Sequence, residues 1–253
     1  MSFRVLIVDD EPSICDLLEL AFGRIEAEVV TAGSGEEGLE RFRAGGRFDA
    51  ALVDKNLPRM SGLEVLRALR EADPGIALLM ITGFYSAETA EEALNIDVDA
   101  YVEKPFRQLA ALVEKTVEAA AKRRARRPPP RTGPPRIAAV ADASVRSVLA
   151  ESVPPPNEIV TTGTEEELKR QLEAAAADVI VIDASLFGDR VAGVVERALA
   201  LSPGAEVVVL SGQVVPLPVV ERLIELGVRK LVRHTGYTRP ILEAIAKSRA
   251  RSG

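Results

Sequence analysis

The sequence predicts an α/β chain made of two doubly wound parallel-sheet domains in tandem. Three observations predict it. Short Val/Ile/Leu-rich runs bounded by acids, Gly or Pro alternate with stretches of helical spacing, the pattern of strands joined by crossover helices. Pieces of the first half recur in the second: Asp49–Asp54 (DAALVD) in Asp178–Asp183 (DVIVID), and Pro74-Gly75 in Pro203-Gly204, both 129 residues on. Charge and proline content also change together at one place between the halves. A chain of 253 residues has room for two domains of ordinary size.

Phe3 to Val8 reads as the first strand, nearly all apolar, as a strand covered on both faces must be. Ile14, Leu17, Leu18 and Phe22 follow at helical spacing. Glu28–Thr31, Ala50–Val53, Ile76–Ile81 and Ala100–Val102 read as the next four strands. Leu63, Leu66 and Leu69 mark a helix ahead of the fourth strand, and Leu109, Leu112, Val113 and Val117 one after the fifth. Right-handed crossovers then give a parallel sheet with helices on both faces. In the second half, Arg136–Ala141, Asp178–Asp183 and the run ending Leu210-Ser211-Gly212 read as strands. Leu223, Ile224 and Leu226 belong to a helix. The repeated order is that of a tandem duplication.

Charge sets the expected boundaries. Residues 1–121 carry 12 Lys and Arg against 23 Asp and Glu, whereas residues 122–136 carry seven cations and no acid. Pro128–Pro130 and Pro134-Pro135 deny helix and favour extended chain. The expected organisation is a first domain over 1–121, a basic, Pro-rich linker over 122–135 and a second domain over 136–253. The linker reads as a spacer following a helix over Phe106 to Ala121, because cations favour helix C-termini. It has no helix-turn-helix or aromatic stacking platform to make it a nucleic-acid contact.

Composition excludes several classes. One cysteine, Cys15, and one histidine, His234, leave no disulfide framework and no Cys/His zinc cluster. Aromatic residues are 4% of the chain, so branched aliphatics and Ala must fill the core. The start MSFRVLIVDDEP has too short an apolar run for a signal peptide, and nothing approaches a membrane span. The expected location is the cytoplasm, with no membrane partner.

In an open parallel sheet, ligands bind beyond the carboxyl ends of the strands at the topological switch point. There the first strand ends in Asp9-Asp10, the third in Asp54, the fourth in Thr82-Gly83 and the fifth in Lys104-Pro105. Singly, these are a helix cap, a turn aspartate, a strand exit and a surface lysine. Their coincidence on one edge argues for a shared role. Carboxylates so close repel unless a cation sits among them. Hard oxygen ligands with open positions suit Mg2+.

With VLIVDDEP, LVDKNLPRMSGLEVL, MITG and DAYVEKPF in order, residues 4–121 resemble a response-regulator receiver domain. The resemblance implies a flavodoxin-like (βα)5 domain with Asp54 as phosphoacceptor. It implies Asp9, Asp10, Asp54 and the backbone carbonyl of Asn56 as Mg2+ ligands. Thr82 becomes the switch hydroxyl, Lys104 the phosphoryl-contacting cation and Tyr101 the switch aromatic. The backbone N–H groups of Lys55 and Gly83 are expected to donate to phosphoryl oxygens. Phosphorylation would draw Thr82 inward and open space for Tyr101, repacking the face of the fourth helix, fifth strand and fifth helix. Implied partners are a histidine kinase or phosphotransfer protein, a downstream protein, and a second copy docked through that face.

Across the repeat the charges thin out. Asp10 maps to Asp142, Asp54 to Asp183 and Thr82 to Ser211, but Asp9 maps to Ala141. Lys104 maps to His234, Tyr101 to Leu231 and Asn56 to Ser185. An imidazole of ordinary pKa, about 6.5, is mostly neutral at neutral pH and cannot replace a lysine charge. Asp142, Asp183, Ser211 and His234 therefore read as a degenerate site in a pseudo-receiver. The expected protein is a two-component response regulator, a phosphoacceptor and not an enzyme, without a DNA-binding output domain. The alternative is a scaffold of two docking domains that ignores phosphate.

Overall fold

The structure, a computed structural model, describes residues 3–83, 86–125, 136–153 and 158–233. The chain divides into two compact units, Met1–Arg127 and Pro128–Gly253. In the first, β1 (Arg4–Val8), α1 (Pro12–Gly23), β2 (Glu28–Ala32), α2 (Gly35–Ala44), β3 (Ala50–Asp54), α3 (Gly62–Ala72), β4 (Ala77–Thr82), α4 (Ala87–Ile96), β5 (Ala100–Glu103) and α5 (Leu109–Ala125) alternate. The sheet is parallel, in the order β2-β1-β3-β4-β5. Every residue of β3 and β4 is buried, which is why AALVD and ALLMIT show no polar alternation. Both strands run one residue past the expected end, so Asp54 and Thr82 are strand residues held by the ladder.

The order reverses direction at β1, and the switch point lies between β1 and β3. Val5, Ile7, Leu18, Phe22, Leu52, Leu79 and Leu112 pack on one face of the sheet. Fully burying a side chain of this size contributes roughly 1.5–3 kcal/mol before its entropy cost. α3 starts at Ser61, which forms a reciprocal capping box with Glu64. Gly62 follows because a Cβ there would lie 1.9 Å from the carbonyl oxygen of Asp54. That close approach lets α3 begin directly beneath the end of β3.

The second unit repeats the plan through β6 (Arg136–Val140), α6 (Ala143–Ser152), β7 (Glu158–Thr162), α7 (Glu165–Ala174), β8 (Val179–Asp183), α8 (Val191–Leu201), β9 (Glu206–Ser211), α9 (Leu217–Leu226) and β10 (Lys230–Arg233). Its sheet order, β7-β6-β8-β9-β10, is that of the first unit. Small devices are copied too. Arg4 places its backbone N–H on Asp49 and its side chain on Glu28, and Arg136 does the same with Asp178 and Glu158. The side chain of Ser34 accepts from Glu37 N–H, and that of Thr164 from Glu167 N–H. One local departure is that residues 184–190 form two 3-10 turns, Ala184–Leu186 and Gly188–Arg190, where the first unit has an open loop.

Two expectations are corrected. α5 continues through Ala125, so Lys122–Ala125 are helix and not linker. The reason is Arg123, whose side chain is buried in ion pairs that fix the last turn. The second unit's first strand also stops at Val140, leaving Ala141 beyond it. Among the described residues no helix is long and apolar enough to cross a membrane.

Candidate functional site

β1, β3, β4 and β5 deliver Asp9, Asp54, Thr82 and Lys104 to one rim of the first sheet. Lys104 Nζ lies 2.8 Å from Asp9 Oδ2, 2.9 Å from Asp54 Oδ1 and 3.1 Å from Glu11 Oε1. Asp9, Asp54 and Thr82 are buried, and Asp10 is exposed beside them. Burial pushes the Asp9 carboxyl above the ordinary aspartate range, against the pull of Lys104 and the Glu11 N–H. Burial also pulls the Lys104 ammonium down, but its three carboxylate partners outweigh this and leave it above its ordinary value. The lysine is therefore a fixed cation between two buried acids. Glu11, its third partner, was not singled out from the sequence. It belongs to the same DDEP run and lies 59% exposed at the mouth of the site.

The carboxylate of Asp54 is held at both oxygens. Oδ1 faces Lys104, and Oδ2 accepts from the backbone N–H of Asn56 at 2.5 Å. The Lys55 N–H, expected to donate to a phosphoryl oxygen, donates here to Ile81 O at 2.8 Å. The β3–β4 ladder runs one step beyond the strand and takes it, leaving Asn56 as the backbone donor to the carboxylate. The Lys55 side chain instead reaches Thr89 in the first turn of α4, at 3.1 Å. Gly83 is exposed directly after Thr82, with nothing within 4 Å of a Cβ built on it.

The ring of Tyr101 differs from the expected picture. It is already buried, 5% exposed, and bonded to the hydroxyl of Thr82. Burial pushes its phenol up to about 12, with the Thr82 bond opposing. The inward space that phosphorylation was expected to open is thus occupied in this conformation.

The donor set suits a hard cation. Asp9 Oδ2 is buried and, although 2.8 Å from Nζ, has no aligned hydrogen bond. Among the described residues no three acids, histidines or cysteines close into a ready-made metal cluster. At this rim the Lys104 ammonium stands between the acids. The buried carboxylates of Asp9 and Asp54 and the exposed one of Asp10 form an all-oxygen group that fits Mg2+.

The second unit uses the corresponding groups for itself. Asp183 is fully buried, and its Oδ1 accepts from the N–H of Ser185 at 3.0 Å and from its hydroxyl at 2.5 Å. Its Oδ2 accepts from the N–H of Asp142 at 3.3 Å. Asp142 caps α6, accepting from Val145 N–H at 2.9 Å and from Ser144 Oγ at 2.6 Å. Ser211 turns its hydroxyl onto Gln213 O at 2.6 Å, and Leu231 is buried at the tyrosine position. His234 lies outside the described residues.

The cations of the basic stretch that are described are also occupied. Lys122 pairs with Glu118, Arg123 with Asp97 and Asp99, Arg124 with Asp49, and Arg136 with Glu158.

Residues 5–116 match the family model for the response regulator receiver domain. The probable transcriptional regulatory protein TcrX of Mycobacterium tuberculosis is 37% identical over 102 residues, 40% of this chain and 43% of that protein. The cell cycle response regulator CtrA of Brucella ovis is 36% identical over 103 residues, 41% of this chain and 44% of that protein. The chain thus spans less than half the length of these curated relatives. A crystal structure of a CheY-like response regulator receiver domain protein from Methanospirillum hungatei JF-1 is 34% identical, with a TM-score of 0.47, covering 49% of this chain and 98% of that one. The first unit is a receiver domain homologous to those of response regulators.

Proposed function

We propose that this receiver domain is the phosphoacceptor of a two-component response regulator that takes phosphate on Asp54 from a histidine kinase or phosphotransfer protein and reports it through protein contact. The observation that carries the reading is the buried Asp9–Lys104–Asp54 arrangement, with Lys104 Nζ within 3 Å of both acids. Intact mass after treatment with acetyl phosphate tests it.

In the transfer, an oxygen of the Asp54 carboxylate bonds to phosphorus while the bond from phosphorus to the donor's leaving group breaks. The electron pair leaves with that group, the donor imidazole or acetate. The transition state is loose, so positioning and charge neutralisation do most of the work. Lys104 faces the nucleophile as a fixed cation, and the Asn56 N–H holds its second oxygen. Asp9, Asp10, Asp54 and the carbonyl of Asn56 would hold Mg2+, which when bound supplies positive charge against the repulsion between carboxylate and phosphate. The chain acts as a signalling phosphoacceptor and not as an enzyme with turnover on a separate substrate.

Thr82 can serve two partners. A hydroxyl donates one bond and accepts others, so it can hold the Tyr101 phenol while donating to a phosphoryl oxygen. Phosphate then stabilises the inward ring already formed, a shift in population of one arrangement. The expected result for Thr82→Ala is phosphate uptake close to wild type with the response of residues 86–106 in amide exchange reduced. An unchanged response in the variant sinks this route.

The second domain is a folded pseudo-receiver that serves contact. Its aspartates are occupied by neutral hydrogen bonds and a helix cap, and no lysine is described at its rim. Calorimetric titration of the full chain should find one Mg2+ site, lost in Asp9→Ala/Asp10→Ala and retained in Asp183→Asn. A second site removed by Asp183→Asn overturns the assignment. The occupied cations at the ends of the basic stretch favour a spacer over a nucleic-acid contact.

A further inference from the structure

Lys104 Nζ is ringed by three carboxylates, Asp9 at 2.8 Å, Asp54 at 2.9 Å and Glu11 at 3.1 Å. An ammonium has three donors and no more, so a phosphoryl oxygen arriving at Asp54 finds each of them already facing an acid. One acid has to give way. The Asp9 side chain is wholly buried, and Asp54, 6% exposed, is the nucleophile whose charge the lysine offsets during attack. Taking a buried carboxylate from its cation is strongly unfavourable, because nothing replaces the lost charge. Glu11 is 59% exposed, so water can take over its carboxylate at little cost.

The start of α1 gives the Glu11 side chain no other task. Glu11 is the N-cap residue, but its side chain makes no capping bond. Its backbone does that work instead, the N–H donating to Asp9 Oδ1 and the carbonyl accepting from Ile14 and Cys15. Pro12 then supplies a first helical position that needs no donor. Among the described residues the carboxylate pairs with Lys104 and no other cation, and Nζ donates to its Oε1. The internal repeat points the same way. Asp10 maps to Asp142, so Glu11 maps to Ala143. The second domain, with His234 at the lysine position, thus lacks the glutamate as well. A glutamate that serves the lysine has no use where the lysine is gone.

We propose that Glu11 is a positioning residue acting through Lys104: it holds the ammonium as an exchangeable counter-ion in the unphosphorylated domain, leaves when a phosphoryl group arrives, and by that competition slows phosphate uptake. The inference rests on the reading of Asp54 as phosphoacceptor and adds a residue that sets its rate. Glu11 makes and breaks no covalent bond. One anion replaces another at the same ammonium, so Lys104 is never left without a counter-charge.

The rate of phosphate uptake from acetyl phosphate at saturating Mg2+, followed by intact mass on the full chain, tests it. Glu11→Gln should take up phosphate about two- to fivefold faster than wild type, the effect expected from releasing one exposed ion pair. In a Lys104→Ala background, where uptake is slower, adding Glu11→Gln should bring no acceleration, because the contact is already gone. Thermal melts verify that the variants keep the fold. Acceleration of equal size in both backgrounds shows a general repulsion between acid and phosphate and overturns the proposal. A Glu11→Gln rate equal to wild type overturns it too. So does a slower rate, and weaker Mg2+ binding by calorimetric titration alongside it would place Glu11 at the metal instead. If wild type gains no phosphate at Asp54, the phosphoacceptor reading fails and takes this inference with it. If wild type gains one at a rate that Glu11→Gln leaves unchanged, the inference fails alone.

Discussion

Incubated with acetyl phosphate and Mg2+, the wild-type chain should gain one phosphoryl group by intact mass, Asp54→Asn none, and Asp183→Asn one. The effect is all or none because the two aspartates differ in what surrounds them. Asp54 faces an ammonium at 2.9 Å, beside a second buried acid. Asp183 faces a serine hydroxyl, a serine N–H and an aspartate N–H. A nucleophilic oxygen at Asp183 would first have to give up those bonds inside a buried site, and the sequence puts His234 where the first domain has Lys104. Lys104→Ala is the graded case. It leaves two buried acids without their cation, so uptake should fall while the acceptor remains Asp54. Two groups on wild type, or one persisting in Asp54→Asn, would show a second acceptor.

Much of this was legible in the sequence. Asp9, Asp54, Thr82 and Lys104 were found because each follows an apolar run short enough to be a strand, and parallel strands bring their ends to one rim. The repeated fold was legible because DAALVD and DVIVID kept both register and flanking acids. α2 and α4 were not singled out, since ten residues rich in Gly or acid give little apolar periodicity. The cap of α2 was readable, however, as was that of α7: Ser34 with Glu37 and Thr164 with Glu167 are three-residue spacings that announce a helix start. The direction of the Lys55 N–H was not accessible, because it depends on how far the β3–β4 ladder extends. Neither was the inward Tyr101, since a side-chain rotamer leaves no mark on residue spacing. The length of α5 was misjudged for a plainer reason. A run of cations reads as solvated, and only the fold shows Arg123 turned inward.

Arg123→Leu should destabilise the first domain by about 3–5 kcal/mol, because it removes one partner from a buried ion network and leaves carboxylates uncompensated. Arg123 holds Asp97 Oδ2 at 2.7 Å, Asp97 O at 2.6 Å and Asp99 Oδ1 at 2.8 Å. Arg70 reaches the same turn from α3, bonding Asp97 O at 2.9 Å and Asp99 Oδ2 at 3.2 Å. All four side chains are under 10% exposed. Asp97 sits at φ 69°, a left-handed position that glycine fills more cheaply. Its carboxylate is therefore kept at a backbone cost, and the bond to Arg123 is the compensation. For a domain of this size the first thermal transition should fall by roughly 10–20 °C. Lys122→Leu, one residue away, removes only the exposed Lys122–Glu118 pair and should change stability by at most about 1 kcal/mol. Arg123→Leu/Asp97→Gly should recover part of the loss, since glycine relieves both the stranded charge and the left-handed backbone. If Arg123→Leu melts with wild type, or the double variant is no better than the single, the last turn of α5 is held by its helix alone and the network is not what joins it to the domain.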